Sequence, residues 1–419
     1  MRTLAEWLAF IERQHPKAIA LGLDRVAAVL ERMQIALAVP VITVGGTNGK
    51  GSCCALLEAM LRAGGYRTGL YTSPHLVRYG ERVRIAGAEA ADDALGASFE
   101  AVEAARGRIT PNLPLTYFEY GTLGALWLFA RERIDAAILE VGLGGRLDAV
   151  NVIDPDCAVL TSVGIDHVDY LGPDRESIGR EKAGIFRAGR PAVIAEPDPP
   201  RSVLAAPGEK LLFGKHFGYT DQRTQWSYWG PAGKRGGLGH PALRGAVQLR
   251  NAAAAMCALD CLREKLPLGM QDIRRGLAEV TLPARFQVLP GRPQVILDVA
   301  HNPQAARVLA ENLAVSAFAP ETIAVCGMLR DKDVGGVLRA LAPRITRWHL
   351  ASLEGPRAAS GDELAQHVQG DVQCFSSPAS AFEAALGRAS ENDKIVVFGS
   401  FLTVGEVMAW LKNNKTSKR

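Results

Sequence analysis

No apolar run in the chain approaches the roughly 20 residues that a membrane-crossing helix needs. The opening MRTLAEWLAF lacks the uninterrupted apolar core of a secretory signal, so a cytoplasmic protein with no membrane partner is expected. Charge of one sign is scarce too. A net charge of +4 is small beside 48 Lys and Arg and 44 Asp and Glu, and no run concentrates it, which gives no reason to expect nucleic acid as a partner. The seven cysteines are odd in number and lack ligand-type spacing. Cys257 and Cys261, four apart in a helical pattern, have a spacing that could hold a metal, but buried core thiols are the expectation. No short-period repeat is evident, and only the closing KNNKTSKR reads as a solvated tail.

What is present describes a globular chain. Hydrophobic residues make up 48%, which excludes a disordered protein, and 419 residues exceed what one hydrophobic core usually serves. Two domains are therefore expected. Apolar, β-rich runs at 39–44, 137–141, 158–163 and 192–195, separated by helical or loop stretches, point to a parallel α/β sheet. Residues 214–241, rich in glycine and aromatics, read as short antiparallel strands or a flexible excursion. Asn251 is placed to cap the helical pattern NAAAAMCALDCL, and a further helix is expected at 271–280. The rhythm then restarts, with strands at 295–299, 322–326, 347–351 and 394–398 and helices beginning near Pro303, Asp333, Gly361, Pro378 and Thr403. That is a second, smaller Rossmann-like unit. The expected division is an N-terminal P-loop ATPase-type parallel-sheet domain at 1–282 and a C-terminal α/β domain at 283–419.

The feature richest in chemistry is GGTNGKGS, residues 45–52, between an apolar strand pattern and an Ala/Leu-rich helical one ending at Gly64 and Gly65. Strand, glycine-rich loop and helix form a phosphate cradle: backbone N–H groups curl around the anion, Lys50 reaches outer phosphates, and Ser52 offers a hydroxyl to magnesium. The standard P-loop spacing is broken, because Val44 stands at its first glycine and Gly51 separates Lys50 from Ser52.

A second glycine-rich segment, LEVGLGGRLDAVN, puts Glu140 at the end of an apolar strand, where a carboxylate is either an ion-pair partner or a magnesium ligand. Asp166 and His167 follow the next strand pattern, and residue type leaves His167 open between structure and metal. Lys182, among Arg180, Glu181 and Arg187, reads by composition as part of a solvated helix turn. Asn251, Arg285 and Asp298 read, by themselves, as a helix cap, a surface ion pair and a strand-end carboxylate.

These segments belong to a larger set: LGLDRV at 21, GGTNGKGS at 45, YTSPHLVRYGERVR at 71, LTYFEYGTL at 115, LEVGLGGRLDAVN at 139, LGPDRESIGREKAGIFR at 171, PARFQV at 283, LDVAHNP at 297, GMLRDKD at 327 and LEGPR at 353. In this order they cover nearly the whole chain, which resembles the bacterial folylpolyglutamate synthase and dihydrofolate synthase family within the Mur ligase superfamily. The resemblance implies an ATP-dependent amide ligase that phosphorylates a carboxylate and lets the amine of L-glutamate attack the acyl phosphate. The acceptors it implies are dihydropteroate and tetrahydrofolate, a monofunctional folylpolyglutamate synthase being the alternative. A nucleotide switch leaves the segments beyond Pro283 unexplained, and a peptidoglycan-precursor ligase leaves TYFEYGTL unexplained.

By residue, the resemblance implies ATP contacts at Thr47, Asn48, Gly49, Lys50, Gly51 and Ser52, with Gly51 matching the superfamily's own form of the loop. It adds Asn251 for adenine, Arg285 for phosphate and Asp298 for ribose. It implies two magnesium ions, one served by Ser52 and one held by Ser73, Glu140 and His167, with Lys182 carried as a carbamate and His301 acting beside glutamate. Pterin contacts are implied at Ala20, Leu21, Gly22 and Leu23, at Thr116, Tyr117, Phe118 and Glu119, and at Leu147, Asp148 and Ala149. Ala20 departs from the family, which often has Asp there. The family's usual state is a monomer.

Overall fold

The computed structural model describes residues 2–17, 19–109 and 113–416. The chain divides into two compact units, one made of Met1–His75, Tyr79–Ala242 and Leu249–Val280, the other of Leu76–Arg78, Leu243–Gln248 and Thr281–Arg419. Two short stretches from within 1–282 thus pack with the second unit.

The first unit is built on an eight-stranded sheet. Its strands are β1 (Val41–Gly45), β2 (Thr68–Tyr71), β3 (Val83–Ile85), β4 (Ala88–Glu89), β5 (Ala136–Glu140), β6 (Cys157–Leu160), β7 (Pro191–Ile194) and β8 (Glu209–Leu212). They lie in the order β4-β3-β2-β5-β1-β6-β7-β8. From β2 to β8 all neighbours are parallel, and only β3 and β4 run against their neighbours at one edge. Strands covered on both faces must be apolar throughout rather than alternating, and β1 and β5 are buried at every position. One covering layer includes helices Asp92–Arg106 and Tyr117–Arg131, which contribute Phe99, Val102, Leu123 and Phe129 to the core.

Residues 214–241 resolve as antiparallel strands: β9 (Gly218–Gln222), β10 (Gln225–Gly230) and β11 (Gly233–Leu238) form a separate sheet. Trp226 and Tyr228 of β10 are fully buried, and the Tyr228 hydroxyl donates to Asp260 Oδ2 at 2.7 Å. The helix after it is Gln248–Cys261, three residues longer at its start than the sequence pattern suggested, so Asn251 sits inside the first turn and does not cap it. Cys257 is buried and Cys261 half-buried.

The second unit carries β12 (Gln287–Leu289), β13 (Gln294–Leu297), β14 (Thr322–Cys326), β15 (Arg347–Ala351), β16 (Asp371–Phe375) and β17 (Lys394–Phe398). They are ordered β12-β13-β17-β14-β15-β16, all parallel except β12. Ile296, Ala324, Leu350, Val396 and Phe398 pack on one side, and Leu297, Ile323, Val325, Ile395 and Val397 on the other. The alternation is the period of two expected of a strand buried on both faces. The C-terminal helix Phe401–Thr416 takes in most of the expected tail, exposed at 412–414, and residues 417–419 lie outside the described residues.

Helices Lys50–Ala63 and Met270–Glu279 approach so closely that a Cβ at Gly276 would stand 2.5 Å from Met60 Cα and 2.7 Å from its backbone nitrogen. Backbone cannot give way as a side-chain tip can, so Gly276→Val should cost about 1–3 kcal/mol or more, read as a lower urea midpoint. Gly387, exposed in helix Pro378–Arg388 with nothing within 4 Å, is the counterpart of opposite sign. Gly387→Ala should raise stability by up to about 1 kcal/mol.

Candidate active site

Parallel pairing aligns the strands at the centre of the first sheet. Val44 of β1 stands beside Glu140 of β5, Gly45 beside Leu160 of β6, and Tyr71 of β2 beside Leu139. The loop 46–49, Ser73, Glu140 and the segment 161–167 therefore all leave from one carboxyl edge, on both sides of β1. That is the position at which open α/β sheets gather ligands.

The loop is tight for identifiable reasons. Gly46 has φ +143° and a Cβ there would overlap Thr161 Oγ1, while Gly49 has φ +90° and a Cβ would lie 2.8 Å from Asn251 Oδ1. Only glycine fits either place. Asn251 thus packs directly on the loop, by way of the helix that it enters rather than caps. Gly49 precedes helix Lys50–Ala63, so first-turn amides and the positive end of the helix dipole face the loop's concavity. Lys50 folds back, its Nζ donating to Gly46 O at 3.1 Å and Thr47 O at 3.3 Å. Ser52 is buried one turn in.

Glu140 is 5% exposed, and its Oε2 accepts the backbone N–H of Ser73 at 3.2 Å. Its charge reaches the start of the helix: burial first, and then Glu140, pushes the Cys53 thiol up to about 12 and raises Cys54 as well. His167 adopts φ +53° at the start of the short helix Val168–Leu171 and is partly exposed; its N–H donates to Asp166 Oδ1 at 2.9 Å. Lys182, in helix Arg175–Ala183, is not solvated as composition suggested but 4% exposed, donating to Gly46 O at 3.1 Å. Burial, followed by the nearby charge of Lys50, brings its amine down to about 7.

The three segments expected to contact the pterin meet. Arg25 Nη2 donates to Ala20 O at 2.7 Å and pairs with Glu119 Oε1 at 2.7 Å, and the Gly22 N–H donates to Leu147 O at 3.2 Å. Thr116 and Glu119 form a capping box on helix Tyr117–Arg131, so both have structural work besides any ligand contact. Asp148 accepts N–H groups from Leu143 at 2.8 Å and Val150 at 3.1 Å; burial nonetheless lifts its carboxyl to about 7. Between these segments Tyr117 and Phe118 are half-buried. The Phe118 ring lies over Gly142, where a Cβ would come within 2.7 Å of it, and 5.7 Å from the Tyr71 ring. Arg82 sits over Tyr117 and donates from Nε to His75 Nδ1 at 2.8 Å. Burial and Arg82 hold that imidazole neutral, at about 4.

In the second unit Asp298 follows β13 and accepts the N–H groups of Phe286 and Ala300, each at 2.8 Å. Burial raises its carboxyl, and Arg285 with these amides opposes the rise. The residues flanking Arg285, Ala284 at φ +58° and Phe286 at φ +45°, are non-glycine residues in the left-handed region, and Arg285 lies 5.1 Å over the Phe401 ring. His301 Nδ1 donates to Val299 O at 2.8 Å.

Sequence reasoning passed over Arg25, Thr161 and Ser162. Arg25 lies within LGLDRV, two residues beyond the implied pterin contacts at 20–23, yet nothing in its spacing announces a partner at position 119. Thr161 and Ser162 end an apolar run, and only their place beside the phosphate loop gives them meaning.

Comparison with known proteins bears on the whole chain. Residues 44–259 match the Mur ligase middle domain and residues 284–401 the Mur ligase glutamate ligase domain. The chain is similar to the dihydrofolate synthase/folylpolyglutamate synthase of Escherichia coli (strain K12), with 46% identity covering 97% of this chain and 94% of that protein. Among solved structures, E. coli FolC in complex with DHPP and ADP superposes with a TM-score of 0.93 at 44% identity, covering 99% of each chain. A bifunctional folylpolyglutamate synthase/dihydrofolate synthase with Mn, AMPPNP and L-glutamate bound gives 0.90 at 45% identity, covering 98% of each. Carrying both Mur ligase domains and this similarity over nearly its full length, the chain belongs to the dihydrofolate synthase/folylpolyglutamate synthase family of Mur ligases.

Proposed function

We propose that the protein is an ATP-dependent amide ligase that joins L-glutamate to 7,8-dihydropteroate, making dihydrofolate, and to tetrahydrofolate, making folylpolyglutamate. The observation that carries this reading is the meeting, at one sheet edge, of a helix-backed phosphate loop, a buried carboxylate in contact with Ser73, and a buried lysine on the loop's own carbonyl. In the reaction the acceptor's carboxylate oxygen attacks the γ-phosphorus of ATP, the bond to ADP breaks and an acyl phosphate forms. The amine of glutamate then attacks the acyl carbon, phosphate leaves, and the ammonium proton passes to solvent.

Lys50 has a defined part in the first step: leaving Gly46 O and Thr47 O, it moves its charge onto the outer phosphates, while the first-turn amides of its helix receive the remaining oxygens. Asn251 is assigned to adenine, Arg285 to phosphate and Asp298 to ribose. His301 is assigned to a place beside glutamate. The flat faces of Tyr117 and Phe118 suit the pterin ring, with Asp148 and the backbone of the 20–23 segment at its edges.

The residues fit magnesium. Glu140 is a buried carboxylate in contact with Ser73, and a set of Ser73, Glu140 and His167, with Ser52 for the nucleotide, would leave positions for phosphate and water oxygens. Magnesium takes such positions more readily than an all-protein cage. Two bound ions would neutralise the phosphates and keep the carboxylate and phosphoryl group close despite their repulsion. Lys182 is assigned as a carbamate: its neutral amine attacks carbon dioxide, a C–N bond forms, one C–O electron pair moves to oxygen, and the nitrogen's proton goes to solvent. An amine brought down to about 7 is largely uncharged just above neutrality, the form that the addition requires. No described helix is long and apolar enough to cross a membrane, and we place the enzyme in the cytoplasm as a monomer.

Turnover with ATP, glutamate and either acceptor is expected; its absence with dihydropteroate, in an enzyme active on tetrahydrofolate, leaves a monofunctional folylpolyglutamate synthase. Lys50→Ala should lower kcat by about a hundredfold or more with the fold retained by circular dichroism. Glu140→Gln should raise the magnesium concentration needed for half-maximal rate by roughly tenfold or more. Wild-type behaviour would remove the respective residue from the site. Intact mass with bicarbonate should gain one carbon dioxide, absent in Lys182→Arg, and the modified fraction should climb as pH rises through about 7, since protonation below that value blocks the amine.

A further inference from the structure

Thr161, Ser162 and Gly164, at the exit of β6, hold the phosphate loop through both hydroxyls and several main-chain groups. Ser162 Oγ accepts the Asn48 N–H at 2.9 Å and donates to Asn48 O at 2.9 Å. Thr161 Oγ1 lies 2.7 Å from the same carbonyl and 3.2 Å from Gly45 O; with one proton to give, it favours Asn48. The Thr47 N–H donates to Ser162 O at 2.9 Å, and Thr47 Oγ1 accepts the Gly164 N–H at 2.9 Å and donates to Gly164 O at 3.2 Å. Thr161 and Ser162 are 2% and 4% exposed, so these bonds are made away from competing water.

The consequence concerns which amides can receive a phosphate. The N–H groups of Thr47 and Asn48 are already committed to β6, whereas the first four amides of a helix have no acceptor within it. We propose that Ser162, supported by Thr161, is a positioning residue for ATP: it fixes the Asn48 peptide from both sides, so that the loop's near half is a rigid floor and the phosphates are received from Gly49 onward. This rests on reading residues 45–52 as the ATP loop. Neither side chain need touch the nucleotide. Their place is also what forbids a side chain at Gly46, where a Cβ would overlap Thr161 Oγ1.

The loss should differ between the two hydroxyls. Ser162→Ala removes both the acceptor of the Asn48 N–H and one donor to the Asn48 carbonyl, whereas Thr161→Val removes one of two donors to that carbonyl. Losing two bonds costs more than losing one of two.

The test is calorimetric binding of ADP and AMPPNP to the full-length protein, with steady-state kinetics alongside. Ser162→Ala should weaken nucleotide binding by about tenfold, and Thr161→Val by less. Thr161→Ser should restore the parent value, and KM for the pterin acceptor should stay unchanged. Parent-like nucleotide affinity in folded Ser162→Ala overturns the proposal. So does an equal rise in KM for all three substrates with a lowered Tm, the mark of general loosening. If Ser162→Ala does not fold, Thr161→Val decides, and parent-like affinity there overturns it too. Lys50→Ala runs in parallel: if it also binds and turns over normally, the ATP-loop reading itself fails, whereas loss in Lys50→Ala alone removes only the positioning role.

Discussion

Parallel pairing of β1 with β5 on one side and β6 on the other is the constraint on which the site depends. Parallel strands point their carboxyl ends the same way, and the registers set Val44 against Glu140 and Gly45 against Leu160. A slip of one residue would turn Glu140 toward the opposite face of the sheet and withdraw β6 from the loop. The loop's glycines, the helix behind it and the segment 161–164 can meet only because the backbone ladder brings their attachment points level. Continuous burial of β1 and β5 enforces that ladder, since neither strand has a solvent face to which an alternative register could turn.

Within this frame the electrostatics centre on one oxygen. Gly46 O accepts from both Lys50 and Lys182, two amines that repel one another in a buried setting. The repulsion is shed by Lys182, whose amine is lowered by burial and then by Lys50. A substrate that draws Lys50 away also relieves Lys182. Burial, reinforced by the neighbouring Glu140, keeps the Cys53 and Cys54 thiols of the same helix protonated. The local field is thus arranged before any ligand arrives.

Much of this was legible in the residues. The strands at 322–326 and 394–398 lie where their β-branched runs put them, because a doubly covered parallel strand leaves an apolar signature. The phosphate loop announced itself by glycine at positions where nothing else fits. Lys182 was the opposite case: its neighbours Arg180, Glu181 and Arg187 describe a solvated turn, and burial arises only from how helix Arg175–Ala183 lies against Gly46. Asn251 was misplaced for a related reason. The helix begins before Asn251, at Gln248, so that residue lies inside the helix. Thr161, Ser162 and Arg25 act on partners more than 90 positions away, and one sequence has no means of recording such distances.

Arg25 holds residue 20 by its main-chain oxygen rather than by its side chain. Position 20 is thereby uncoupled from the framework around it: exchanging an acidic side chain for alanine there leaves the main-chain contact intact. Such a position is free to drift, since folding does not police its side chain.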